Sequence, residues 1–186
     1  MKIISASPYE KESYIMTKAT DLFRQTLCPV ARAESVVGDI WSVLVLRELF
    51  ARNHRFDEIQ AMTGATPQMV ATRLKKLEAD GLLERRLYNK KPPRYEYHLT
   101  EKGKDFWPVL MALRAWGETW CRLPGEELST DYVHQTCGHA AGLGPLCDHC
   151  GELLRHGELI GKPSRARAAE LEQRRAVLKE GTRSSR

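Results

Sequence analysis

The chain of 186 residues contains no run of about 18 consecutive apolar residues, the length that a membrane-spanning helix requires. Its longest apolar stretch, IWSVLVL at 40–46, is too short and lies internally. The opening segment, MKIISASPYEKESY, has no hydrophobic leader. Secretion is therefore not expected, and a cytoplasmic location without a membrane partner is. Cysteine is sparse, with five in the chain, and a disulfide scaffold is not expected in a reducing cytosol. The constellations of common enzymes are missing as well. There is no nucleophile–base pair, no glycine-rich phosphate loop and no His-Glu metal helix. A catalytic function is not expected.

What is present is a charge of +5, unevenly placed. Residues 52–94 hold ten Lys/Arg against five Asp/Glu, and residues 162–186 hold eight against three. The chain outside 162–186 is neutral in total, so 52–94 is a positive region on a neutral body. That placement suits attraction to phosphate, the main source of sequence-independent DNA affinity.

The positive region has a pattern. Phe56, Ile59 and Met62 mark a short helix, and Gly64 makes a turn. Thr66 followed by Pro67 is a helix start: a hydroxyl to cap free amides, then a residue whose fixed φ suits the first turn. Val70, Leu74 and Leu77 form one apolar stripe, and Gly81 supplies a left-handed end. Off the stripe lie Gln68, Met69, Thr72, Arg73, Lys75 and Lys76. Strand-period alternation follows at 83–88 and 95–99, around a basic loop, NKKPPR at 89–94. Helix, turn, helix and basic hairpin together read as a winged helix-turn-helix. Its second helix would enter the major groove. Gln68, Met69, Thr72 and Arg73 are assigned to base edges, since Gln suits adenine, Arg suits guanine, and Thr or Met can meet a thymine methyl. Thr66, Lys75 and Lys76 are assigned to phosphates, and Lys90, Lys91 and Arg94 to the wing.

The segments CPVARAESVVGDIWSVLVLRELF, RFDEIQAMTG, TRLKKLEADGLLERRLY, PPRYEYHLTEKG and PVLMALRAWG, in that order and spacing, resemble the HxlR-type winged-helix transcriptional regulators, relatives of the MarR group. The resemblance spans roughly Cys28 to Trp120 and implies a homodimeric regulator of double-stranded DNA. Some members use a cysteine at the position of Cys28 to sense oxidants or electrophiles, with Arg32 and Arg47 as cations that could approach it here. The alternative is a half-buried structural thiol.

The expected fold is mainly α with a small β-hairpin wing, in four parts. Residues 1–27 form an N-terminal extension, with a helix over Tyr14–Leu27 at a dimer interface. Residues 28–122 form the winged domain. Asp39 caps its central buried helix, in which Trp41, Leu44 and Leu46 are core. Thr100 caps its last helix, where Phe106, Leu110, Leu113, Gly117 and Trp120 form a seam, with Trp107, Trp116 and Trp120 as dimer core. Pro108 must either kink that helix or start a new one. Residues 123–161 form a Cys/His-containing hairpin. In it the CDHCG motif resembles a zinc-ribbon knuckle, and Cys137, His139, Cys147 and Cys150 are the candidate ligand set, with His134 or His149 able to substitute. A redox dithiol of Cys147 and Cys150, or cysteines that merely pack, are the rivals. Zinc is possible and no cofactor is required. Residues 162–186 form a basic tail, helical over Ser164–Lys179, serving solubility or non-specific affinity. The expected function is a homodimeric repressor reading an inverted repeat through helix 66–80 and wing 89–94. The alternative is a thiol- or metal-responsive sensor whose cysteines control DNA release. Operator and effector are left open.

Overall fold

The computed structural model describes residues 23–184. The helix expected over Tyr14–Leu27 falls largely outside them, and only 23–25 are seen as helical.

Helix α1 (Pro29–Val37) leads into α2 (Ile40–Phe50), which starts where the Asp39 carboxylate accepts the Ser42 amide at 3.0 Å. Helix α2 is the axis of the domain. Val45, Leu46 and Leu49 are buried along it, with Trp41 and Leu44 half-buried. Its one buried charge, Glu48, is held by the Arg47 guanidinium and the Asn53 amide, as a charge taken from water must be.

Helix α3 (Phe56–Thr63) ends at Gly64, whose φ of 74° turns the chain sharply into α4 (Pro67–Ala79). The Thr66 hydroxyl accepts the Met69 amide at 3.3 Å, as the Thr-Pro signal predicts. Val70, Leu74 and Leu77 are no more than 1% exposed and pack with Ile59, Ala65, Leu82 and Leu83 on α2. Strands β1 (Leu83–Lys90) and β2 (Pro93–Leu99) pair antiparallel, with Leu83 opposite Leu99 and a bulge between Leu87 and Asn89. The bulge lets pairing continue to Lys90 and Pro93. The loop expected over 89–94 therefore shrinks to Lys91 and Pro92, joined by a cis peptide bond.

Thr100 caps only the four-residue α5 (Glu101–Lys104). A separate helix, α6 (Trp107–Trp120), begins with Pro108 in its first turn. Of the two outcomes open to Pro108, the chain takes a new start, where the missing N–H costs nothing. Beyond α6 the expected hairpin is a three-stranded antiparallel sheet in the order β4-β3-β5, from β3 (Thr130–His134), β4 (His139–Ala140) and β5 (Leu159–Pro163). Helix α7 (Arg165–Ser184) follows, longer than expected, with the Ser164 hydroxyl accepting the Arg167 amide. It lies along α3, where Arg174 donates to the Met62 carbonyl at 3.1 Å.

A second core joins the C-terminal segment to the domain: Phe50, Trp107 and Met111 on one side, Ala141, Cys147 and Leu154 on the other. The Trp107 indole N–H donates to the Leu154 carbonyl at 2.8 Å. Trp107 is thus intrachain core, not part of a dimer seam. Among the described residues, no helix is long and apolar enough to cross a membrane. Leu74→Ala should destabilise the domain by about 2–5 kcal/mol, the range for truncating a buried leucine. Asp39→Ala should cost about 1 kcal/mol as a lost cap. Urea denaturation would check both.

Candidate nucleic-acid interface and thiol–imidazole cluster

The outer face of α4 follows from its inner one. With Val70, Leu74 and Leu77 buried, Gln68, Ala71, Thr72 and Lys75 lie on the exposed side. Thr66 is exposed at the helix start, and the Thr72 hydroxyl is tied to the Gln68 carbonyl at 2.8 Å. On the wing, Lys90, Lys91 and Arg94 are exposed. Behind them the hairpin is braced by cations stacked on rings: Arg85 over Tyr95 at 4.9 Å and Arg55 over Tyr88 at 4.8 Å.

Three residues of α4 expected on this face are placed elsewhere. Met69 is half-buried against the core. The Arg73 guanidinium donates to the Asp39 carboxylate at 2.7 Å, with only a fifth of its side chain exposed. Lys76 donates to the Val36 carbonyl and sits 3.3 Å from Asp80. The reason is angular. Positions 69, 73 and 76 each directly precede a stripe residue, so they flank the core on the side of α1 and α2 rather than opposing it. Ala71 lies on the exposed side as well, and its small apolar side chain carries no polar or charged signal in the sequence.

This arrangement is a helix-turn-helix with a cationic wing, and its sequence has relatives. The model of the family described as HxlR-like helix-turn-helix matches residues 36–124. An HTH-type transcriptional regulator of Mycobacterium tuberculosis is 34% identical over 142 residues, 76% of this chain and 89% of that protein. The chain belongs to the HxlR-like helix-turn-helix family. It is accordingly a DNA-binding transcriptional regulator. An HTH-type regulator of Methanothermobacter thermautotrophicus is 44% identical over 93 residues, 50% of this chain and 71% of that protein. The crystal structure of PA1607, described as a candidate transcription factor, superposes with a TM-score of 0.60 at 31% identity, covering 77% of this chain and 99% of that one. Both the mycobacterial relative and PA1607 match more of this HxlR-like chain than the family model does.

A second exposed feature of the HxlR-like domain is apolar. Val109, Leu113, Trp116 and Trp120 recur along α6 at spacings of four, three and four. Trp116 and Trp120 are 62% and 73% exposed in the single chain. The seam expected through Phe106 and Leu110 is displaced, because both pack into the second core. Beside the stripe, α1, α2 and α6 enclose an open apolar groove of about 780 Å³ lined by Val30, Ile40, Val43, Val109 and Leu113. Cys28 stands exposed at the start of α1. The cations expected near it are committed elsewhere, Arg32 to the Thr26 carbonyl and Arg47 to Glu48.

In the C-terminal sheet, His134, Cys137, Cys147 and Cys150 converge, with all donor atoms within 4.8 Å of one another. Of the four candidate ligands, His139 is not in this set and His134, the substitute, is. The rings of His139 and His149 stack outside it, 3.5 Å apart, and the His139 Nδ1 is engaged by the Cys137 carbonyl at 2.7 Å. The Cys150 amide, and then that of His149, outweigh burial at Cys147 and hold its thiol down at about 6. At Cys150 the Glu152 amide acts in the same sense, but burial and the Cys147 and Cys137 thiols push it above its ordinary value. The sequence signal that sets His134 beside the three cysteines is a repeated pattern, His-x-x-Cys-Gly at 134–138 and Cys-x-x-Cys-Gly at 147–151.

Burial raises the Asp39 carboxyl, but the Ser42 and Arg73 hydrogen bonds prevail and hold it below its ordinary value. Its contribution to stability is thus complete above the ordinary carboxylate range and lost as pH falls through the lowered value. The stability gap between wild type and Asp39→Asn, followed by urea denaturation, should narrow as pH drops below about 4. Arg73→Ala should destabilise the domain measurably, whereas Gln68→Ala should stay within about 0.5 kcal/mol of wild type.

Proposed function

We propose that the chain acts as a homodimeric repressor that reads an inverted repeat through the outer face of α4 and the wing. The observation that carries this reading is the one face shared by Gln68, Ala71, Thr72 and Lys75, with a cationic hairpin beside it and, among the described residues, no partner for the Gln68 or Lys75 side chain. Gln68 can bond adenine in two places, while the Ala71 and Thr72 methyls can meet thymine. Thr66, Lys75, Lys90, Lys91 and Arg94 would engage phosphates or the minor groove. Arg73 and Lys76 act indirectly, by fixing α4 against α1 and α2.

The dimer reading rests on the stripe of Val109, Leu113, Trp116 and Trp120. Large apolar side chains at heptad-like spacing on an exposed helix face are suited to a second copy. A two-fold pairing would give half-sites about one DNA turn, roughly 34 Å, apart.

Selection of bound fragments from a random duplex library at two salt concentrations tests the whole reading. An inverted repeat with one-turn spacing is the expected product, and recovery of no motif would sink sequence-specific reading. Gln68→Ala should cost about 1–3 kcal/mol on the selected site and relax one base position. Lys90→Ala should weaken all sequences alike and reduce the salt slope by roughly one. Trp120→Glu should shift the protein to monomer in sedimentation, and an unchanged dimer would show that the interface lies elsewhere.

A further inference from the structure

The segment between α6 and α7 has little apolar matter of its own. Within residues 123–163, the buried side chains are Ala141, Cys147, Leu154 and His134. Strand β4 is two residues long, and all the cysteines are free thiols. A unit this small does not hold a fixed shape on so few apolar contacts. It needs a partner surface, a disulfide or a metal.

At its centre the same turn occurs twice, face to face. In His134-Gln-Thr-Cys137-Gly138 and Cys147-Asp-His-Cys150-Gly151, the glycine amide donates back to the carbonyl of the first residue, at 2.8 Å in both. Both glycines have φ of 74°, a conformation that would strain any residue with a Cβ. Each turn brings its first and fourth side chains to one side. Two such turns present four donors to a single point.

The separations are those of a coordination shell. His134 Nδ1 lies 3.6 Å from Cys137 Sγ and 3.4 Å from Cys150 Sγ, and Cys137 Sγ lies 3.7 Å from Cys147 Sγ. A tetrahedral zinc with bonds of about 2.3 Å to sulfur and about 2.0 Å to nitrogen has edges of about 3.8 Å between sulfurs and about 3.5 Å between sulfur and nitrogen. A disulfide would instead need its sulfurs about 2.05 Å apart. The far side of the imidazole fits too. His134 is fully buried, and its Nε2 makes no hydrogen bond but faces the Glu158 carboxylate at 3.8 Å. A carboxylate behind a ligating histidine fixes the tautomer that leaves the other nitrogen free to bind metal.

We propose that His134, Cys137, Cys147 and Cys150 form a closed structural zinc site. Three thiolates and one imidazole are a soft donor set that favours zinc over magnesium or calcium. The three thiols release their protons to solvent as the metal binds. With four protein ligands no position remains for a substrate, so the site is structural rather than catalytic. It holds the β3–β5 unit in the shape that docks on the domain: Leu154 under the Trp107 indole, His156 3.0 Å from the Phe50 carbonyl, and the Gly142 and Leu143 carbonyls on Arg114. Through β5 it also places α7 along α3, the first helix of the DNA-binding pair. The trio of half-buried Cys137 with exposed His139 and His149 is the competing arrangement, and it cannot be filled at the same time without sharing Cys137.

The test is the metal content of the full chain, purified without added metal or chelator, by elemental mass spectrometry. Roughly one zinc per chain is expected. Cobalt(II) added to the reduced, metal-free protein should give the intense visible bands of tetrahedral sulfur-rich coordination. X-ray absorption of the zinc form should show three sulfurs and one nitrogen. Cys150→Ser and His134→Ala should lose most of the metal, Cys150→His should retain it, and His139→Ala and His149→Ala should leave it unchanged. Chelation should expose residues 123–163 to limited proteolysis while 28–122 stays protected. Wild-type protein with no zinc and no tetrahedral cobalt spectrum would overturn the proposal, as would metal lost on His139→Ala but kept on His134→Ala. These readouts do not involve DNA, so they stand or fall apart from the operator reading.

Discussion

Burial of Val70, Leu74 and Leu77 against α2 is the constraint on which the rest depends. It fixes the rotation of α4 about its own axis, and rotation decides which side chains face solvent. Gln68, Thr72 and Lys75, turned away from the stripe, and Ala71 on its far flank are presented to solvent. Those beside it, Met69, Arg73 and Lys76, are drawn to the flank. There Arg73 finds the Asp39 carboxylate, which is also the cap of α2. One carboxylate thus starts the central helix and tethers α4 to it. The pair is partly exposed, and surface ion pairs are individually weak. Its value is geometric: it limits rocking of α4, and with it the position of the exposed face.

The wing and the C-terminal unit are attached to this frame in different ways. The wing is continuous with it through Leu82, Leu83 and Leu99, and the ladder carries the cationic tip outward. The C-terminal unit has its own sheet but shares a core with Phe50, Trp107 and Met111. The closing of that core by α6 leaves the opposite side of the helix, Val109 to Trp120, uncovered in the single chain. One helix therefore divides its apolar residues between the chain's own second core and a surface suited to a second copy.

The winged domain was legible because its signals are local. Thr66-Pro67 starts a helix, Gly64 and Gly81 turn the chain, and the apolar periods of α3, α4, β1 and β2 fall where the structure has them. The family resemblance over Cys28–Trp120 rested on the same residues. Less visible was the division of α6. Periodicity marks an apolar face but does not say whether that face meets the same chain or another, so in sequence Trp107 and Phe106 look no different from Trp116 and Trp120. Two of the three cations of α4 escape sequence for a related reason: Arg73 and Lys76 look free there, as Lys75 is, because Asp39 and the Val36 carbonyl are distant along the chain.

The sequence by itself determined the element order, the caps and the stripe of the recognition helix, because each depends on residues within about one or two turns of one another. Tertiary structure alone decided which long side chains are free and which are tied back, because that depends on elements more than thirty residues apart. It also decided which histidine joins the three thiols, a choice the sequence marks only through the repeat of His-x-x-Cys-Gly as Cys-x-x-Cys-Gly. His139 is nearer to the Cys-x-x-Cys pair in sequence, but the left-handed turn at Gly138 sends it outward and brings His134 round to complete the set.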